Sequence, residues 1–230
     1  MAKEKIIANE KISFITKRPE ALLNSVRRSS FEIPILAIDE VEFYKNDSVL
    51  YDEVLALRLG LIPLKTPNDL KLKEKCSCKG EGCNKCTIKL KLKAVGPTTV
   101  YSSALKGGTE PTYNNIPIIE LRKDQELELV AEARLGKAVE HTKYSPGLVY
   151  YRALALCKNC KKNHDVLKNE DGKEETLDIH KCDVCSQETP EETFAGKEFL
   201  FVIEPWGQIK AEDILQKAIK AIKENLDDLK

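Results

Sequence analysis

Three histidines, one tryptophan and one methionine are all that this 230-residue chain contains of those residue types, and aromatic residues make up only 6% of it. So few histidines leave little room for a nucleophile paired with a base, and no serine or cysteine stands out in that role. There is no surplus of charge of either sign, since Lys+Arg and Asp+Glu both number 37. A dedicated binder of nucleic acid or of a membrane surface needs an excess of lysine and arginine, so that class is disfavoured, although a local basic patch remains open. No apolar run approaches the ~18 residues of a membrane span. The opening stretch MAKEKIIANEK also lacks the apolar segment of a signal peptide. The expected location is cytoplasmic, where disulfides are usually reduced, hyperthermophilic archaea being the exception. Absent too are a Gly-rich phosphate loop and an aspartate triplet spaced to hold magnesium for nucleotidyl transfer. No catalytic residue and no site for an organic cofactor is expected.

What the chain does have is charge, at 32% of residues, with lysine and glutamate abundant; this leans towards a thermophile. Its length suffices for one large domain or two smaller ones. It also has eight cysteines, all in two quartets. The first is Cys76-x-Cys78 with Cys83-x-x-Cys86, inside the polar stretch KCSCKGEGCNKC. Short C-x-C and C-x-x-C pairs suit a metal because two thiolates must reach one ion from a tight backbone knuckle, and Gly80 and Gly82 permit the left-handed turns involved. Four thiolates complete a tetrahedral shell with no open corner for water, so the site is structural. Clustering in so short a loop disfavours two disulfides or free thiols. The second quartet, Cys157-x-x-Cys160 and Cys182-x-x-Cys185, has zinc-ribbon spacing. An iron–sulfur cluster is its rival, but the ferredoxin run C-x2-C-x2-C-x3-C-P is absent, which favours zinc. A thioredoxin-like pair is disfavoured by the second C-x-x-C, and His164 and His180 read as loop residues beside four available thiolates.

The rest of the chain reads as mixed strand and helix. KISFIT (11–16) alternates as a half-buried strand should, and Pro19 opens a helix carrying Leu22 and Val26 on one face, followed by Arg27 and Arg28. Residues 31–44 read as extended and broken by Pro34, KNDS as a turn, and YDEVLALRL as a short amphipathic helix stopped by Gly60 and Pro63. LKLK (70–73) and TIKLKLKAV (87–95) alternate on either side of the first quartet, which predicts a β-hairpin with the metal at its tip. ELELVAEARL (126–135) alternates as well; LVYYRALAL (148–156) and EFLFVIE (198–204) read as strands of one sheet, interrupted by the polar module 157–197. The last segment predicts an amphipathic helix with a stripe of Leu215, Ile219, Ile222, Leu226 and Leu229, widened by Ile214 and Ala218. Such a stripe packs on the chain's own sheet, on a partner, or on both.

Three stretches together resemble one family: LLNSVRRSSFEIPILAIDEVEF (22–43), YDEVLALRLGLIPL (51–64) and GKAVEHTKYSP (136–146). They are similar to the D-type subunit of archaeal DNA-directed RNA polymerase, to the third-largest subunit of eukaryotic RNA polymerase II and, more distantly, to the N-terminal domain of the bacterial α subunit. The family's N-A-x-R-R helix stands here as Asn24 to Arg28, its D-E-x-x-A-x-R-L-x-x-I-P-L element as Asp52 to Leu64, and its E-H-A-K-x-x-P element as Glu140 to Pro146. Leu57 replaces a usual histidine and Thr142 an alanine. Where many archaeal relatives carry a ferredoxin-like domain, residues 157–197 keep a shrunken version with two C-x-x-C pairs.

The resemblance implies an α+β fold. Its dimerisation domain comprises 1–38, 149–156 and 198–230; an inserted β-rich domain occupies 39–148, and a small metal module 157–197. It implies a non-catalytic scaffold of the polymerase that pairs with a smaller α-like subunit (the L-type subunit in archaea) and docks the second-largest catalytic subunit and two small zinc-bearing subunits. DNA is contacted only indirectly. Asn24, Arg27, Arg28 and Arg58 are carried over to the partner-facing surface, and the stripe from Leu215 to Leu229 to the partner helix. Expected metals are structural zinc in the first quartet and zinc or an iron–sulfur cluster in the second. Two other readings are weighed against this one: a free-standing zinc protein binding nucleic acid through the lysines around the first quartet, and a redox protein using the second.

Overall fold

The computed structural model describes residues 3–8, 11–153 and 198–228. The second quartet and Leu229 lie outside the described residues. In chain order the strands and helices are β1 (Lys3–Ala8), β2 (Lys11–Thr16), α1 (Glu20–Ser29), β3 (Ile35–Asn46), α2 (Asp52–Gly60), β4 (Thr87–Val95), β5 (Thr98–Tyr101), β6 (Lys106–Gly107), β7 (Pro117–Leu121), β8 (Glu126–Gly136), β9 (Gly147–Ala153), β10 (Phe199–Pro205) and α3 (Ala211–Asp227). Two compact units emerge, residues 1–25 with 149–203 and residues 26–148 with 204–230.

The first unit is built on a sheet in the order β1-β2-β10-β9. β2 is antiparallel to both β1 and β10, with Phe14 opposite Phe201. Their rings stack with centroids 5.4 Å apart. The alternation of KISFIT thus buries Ile12 while Phe201, Val202 and Ile203 of β10 lie inside.

In the second unit, a sheet in the order β3-β8-β4-β6 and a two-stranded sheet β5-β7 surround one apolar core. β8 pairs antiparallel with β3 on one side and with β4 on the other. Its period of two decides the faces: Leu127, Leu129, Ala131, Ala133 and Leu135 point into the core, and Glu126, Glu128, Glu132 and Arg134 point out. β4 does the same, with Leu90 and Leu92 inside and Lys89, Lys91 and Lys93 outside. Leu55 and Leu59 of α2, then Ile62 and Leu64, join the core.

One expectation fails. Residues 70–73 do not form a strand, and β4 takes β8 and β6 as its neighbours. With both edges of β4 supplied from elsewhere, the LKLK segment reaches the far side of the cysteine loop through a backbone bond from Lys71 N–H to the Lys85 carbonyl (2.9 Å). Leu70 and Leu72 satisfy their alternation by packing on the core, not by pairing in a ladder.

Candidate metal centre and docking surface

The first quartet converges. Cys76, Cys78, Cys83 and Cys86 place their Sγ atoms within 4.8 Å of one another. Cys76–Cys83 and Cys78–Cys86 are each 3.6 Å apart and Cys83–Cys86 is 3.8 Å apart. These separations exceed a disulfide bond of ~2.05 Å. They match the ~3.8 Å edge of a sulfur tetrahedron around zinc with ~2.3 Å bonds. Two knuckles produce the convergence. In the first, the Lys79 and Glu81 N–H groups bond to the Cys76 and Cys78 carbonyls; in the second, the Cys86 and Thr87 N–H groups bond to the Cys83 carbonyl. The first knuckle needs left-handed backbone at Lys79 (φ 55°), Gly80 (φ 91°) and Gly82 (φ 92°), which glycine adopts without strain at two of the three positions. Hydrogen bonds from the Gly82 and Gly80 backbone bring the Cys78 thiol down to about 6, while burial pushes Cys86 up to about 12. The four thiolates fit a structural zinc ion, which would tie both knuckles together; the donor set leaves no position for substrate.

The residues expected at a partner surface divide by location. In α1, Asn24 and Arg27 are half-buried and Arg28 is exposed. The Arg27 carbonyl accepts the Ser30 hydroxyl at 2.6 Å, closing the helix. Arg58 donates from Nη2 to the Pro117 carbonyl at 3.1 Å and so links α2 to β7. The stripe on α3 splits in two. Ala211, Ile214 and Ala218 are buried, whereas Leu215 and Ile222 are partly exposed and Ile219 and Leu226 stand 40% and 57% exposed. From the same helix, Asn225 donates to Glu32 at 2.9 Å. The outer set, 215, 219, 222 and 226, repeats at 4-3-4 spacing, the seam of a helix that packs against another helix.

Two features escaped the sequence reading. α2 has a second apolar face: on the side away from Leu55 and Leu59, Val54 and Leu57 are 41% and 57% exposed and Leu61, just past the helix end, is 54% exposed, while Tyr51 at its start is 78% exposed. The signal was available, because YDEVLALRLGLI holds too many large apolar residues for one helical face. The other feature is a charged clasp. Asp39 accepts from Arg134 Nε (2.6 Å), Lys143 Nζ (2.6 Å) and Tyr144 Oη (3.0 Å). The Arg134 and Lys143 cations also lie 5.6 and 5.1 Å from the centre of the buried Tyr144 ring. Gly136 makes room for that ring, since a Cβ there would sit 2.4 Å from it. Burial alone would raise the Asp39 pKa, but the three donors outweigh it and hold the carboxyl well below the usual range. His141 accepts the Lys143 N–H through Nδ1 at 3.1 Å and caps the turn Thr142–Tyr144.

Comparison with known proteins places these features in a family. The RNA polymerase Rpb3/RpoA insert domain matches residues 39–149, which hold the quartet, α2 and the clasp. DNA-directed RNA polymerase subunit Rpo3 of Methanothermobacter thermautotrophicus is 34% identical over 90% of this chain and 88% of its own length. The subunit of that name from Pyrococcus horikoshii is 34% identical over 99% and 96%, and that from Archaeoglobus fulgidus 32% identical over 95% and 92%. Neither a free-standing nucleic-acid-binding protein nor a redox protein finds support among these relatives. With identity above 30% along nearly its whole length, the chain belongs to the family of DNA-directed RNA polymerase subunit Rpo3.

Proposed function

We propose that this chain is the larger half of an α-like heterodimer on which RNA polymerase assembles, pairing with a smaller, L-type subunit through α3. The chain is a non-catalytic component of a nucleotidyltransferase complex. The observation that carries the pairing is the outer seam of α3: four large apolar residues at coiled-coil spacing on a helix whose other face is buried. In this reading residues 1–38, 149–156 and 198–230 make the dimerisation domain, 39–148 the insert and 157–197 a metal module.

The second-largest catalytic subunit then docks against Asn24, Arg27 and Arg28 of α1 and against Arg58 with the outer apolar face of α2. Arginine suits such a contact because its planar fork meets carboxylates and carbonyls in pairs. Zinc in the first quartet holds the loop between Cys76 and Cys86 rigid, next to the small zinc-bearing subunits; the second quartet takes zinc or an iron–sulfur cluster. Co-expression with the small subunit tests the pairing. A 1:1 complex by light scattering is the expected result, and a stable monomer that ignores the partner would overturn it.

A further inference from the structure

The outer face of the β3-β8-β4-β6 sheet sorts its charges into columns. Along β8, Glu126, Glu128 and Glu132 are engaged: Lys45 meets Glu126 at 2.9 Å, Lys93 meets Glu128 at 2.6 Å and Glu126 at 3.3 Å, and Lys73 lies 3.9 Å from Glu132. Towards the β4–β6 edge the pattern stops. Lys91 stands directly opposite Lys106 in the ladder, and Lys89 lies two residues along on the same face. All three are exposed, and none has a carboxylate within ion-pair distance among the described residues. Glu110, whose charge senses Lys106, is taken by Lys65 at 2.9 Å. Like charges directly opposite across a sheet are destabilising, so the Lys91–Lys106 pair costs the folded chain stability, which Glu132, the ladder partner of Lys89, and Glu110 offset only in part.

We infer that Lys89, Lys91 and Lys106 form an auxiliary contact for the phosphate backbone of duplex DNA. Residues 71–106 contain nine lysines, two glutamates and no arginine. Ammonium groups serve as point charges for phosphates, whereas recognition of carboxylates on a protein favours the arginine fork. Cores of protein interfaces are depleted in lysine and anchored by tryptophan, tyrosine or arginine, and the outward positions of β4 and β6 hold no aromatic residue. Alternate strand residues are ~6.8 Å apart, the rise of two nucleotide steps of ~3.4 Å along the duplex axis. Because the whole chain is neutral, the contact is weak and sequence-independent, a tether within a larger enzyme. It goes beyond the assembly role and stands without it, since the patch lies within one unit of the chain.

The test uses the full chain and a fluorescent duplex of random sequence, with anisotropy read between 50 and 200 mM salt. Three phosphate contacts predict an affinity falling about 40-fold over that range, and K89Q/K91Q/K106Q flattening the log–log salt slope by about 2 to 3. A K220Q control on α3 keeps the wild-type slope. The triple variant retains its Tm, because it removes a repulsion, so its loss of binding is not a loss of fold. An unchanged slope, or no binding by the wild-type chain, overturns the proposal. Polyglutamate bound as tightly as DNA would point instead to an acidic protein partner. Self-association of the variant with unchanged DNA affinity would make the lysines edge protection against strand pairing and nothing more.

Discussion

Asp39 gathers three donors from residues 95 to 105 positions further along the chain, and two of them, Lys143 and Tyr144, anchor the Glu140–Pro146 element to β3. Asp39→Asn leaves two half-buried cations facing an amide, so a loss of about 3 kcal/mol in a denaturant titration is expected. The pH dependence has a definite sign. The folded pKa is depressed, so the carboxylate's stabilisation is complete above the usual aspartate value of ~4 and is lost as pH falls below it towards the folded value. Acid unfolding of the wild type therefore steepens below about pH 4, and Asp39→Asn removes that component. For the quartet, replacing Cys76, Cys78, Cys83 and Cys86 with serine is expected to lower bound zinc by one ion per chain in a metal assay. Gly82→Ala, forced to φ 92°, keeps the four ligands but binds that ion more weakly. The quartet was legible in the sequence because its ligands are local and spaced for one ion. The clasp was not, because nothing about Asp39, Arg134 or Lys143 alone marks them as partners.

At the scale of elements, both exposed helical faces make separate predictions. Ile219→Glu with Leu226→Glu is expected to abolish pairing with the small subunit in size-exclusion chromatography. Its effect on the fold should be slight, because the buried residues of α3 are Ala211, Ile214 and Ala218. Leu57→Glu with Leu61→Glu on α2 should shift stability by no more than about 0.5 kcal/mol per site, as exposed substitutions do. The same change weakens capture of the catalytic subunit by the preformed heterodimer. The two pairs of variants thus separate partner pairing from later docking. Helix α3 was legible as amphipathic, but the division of its stripe into a buried and an outer half was not. A 3.6-residue period says that one side is apolar; it does not say how wide a strip the chain's own core covers. The hairpin around the quartet failed for a related reason. Alternation in residues 70–73 and 87–95 gave each segment a face, yet β8 and β6 filled the ladder positions beside β4.

On the scale of the whole molecule, the exposed apolar faces of α2 and α3 describe a chain made to be covered. Purified alone it is expected to self-associate in light scattering, and the small subunit should convert it to a single heterodimeric species. No described helix is long and apolar enough to cross a membrane. The sequence by itself determined the convergence of Cys76, Cys78, Cys83 and Cys86, the inward faces of β2, β4 and β8, the places of the helices and the family, because these are written in spacing within about ten residues or in matched stretches of sequence. Tertiary structure alone decided which strand lies beside which, how Asp39 meets Arg134 and Lys143, and that Lys91 faces Lys106. Those outcomes depend on pairing between segments far apart in the chain, and a strand's alternation states which face it buries without naming its neighbour.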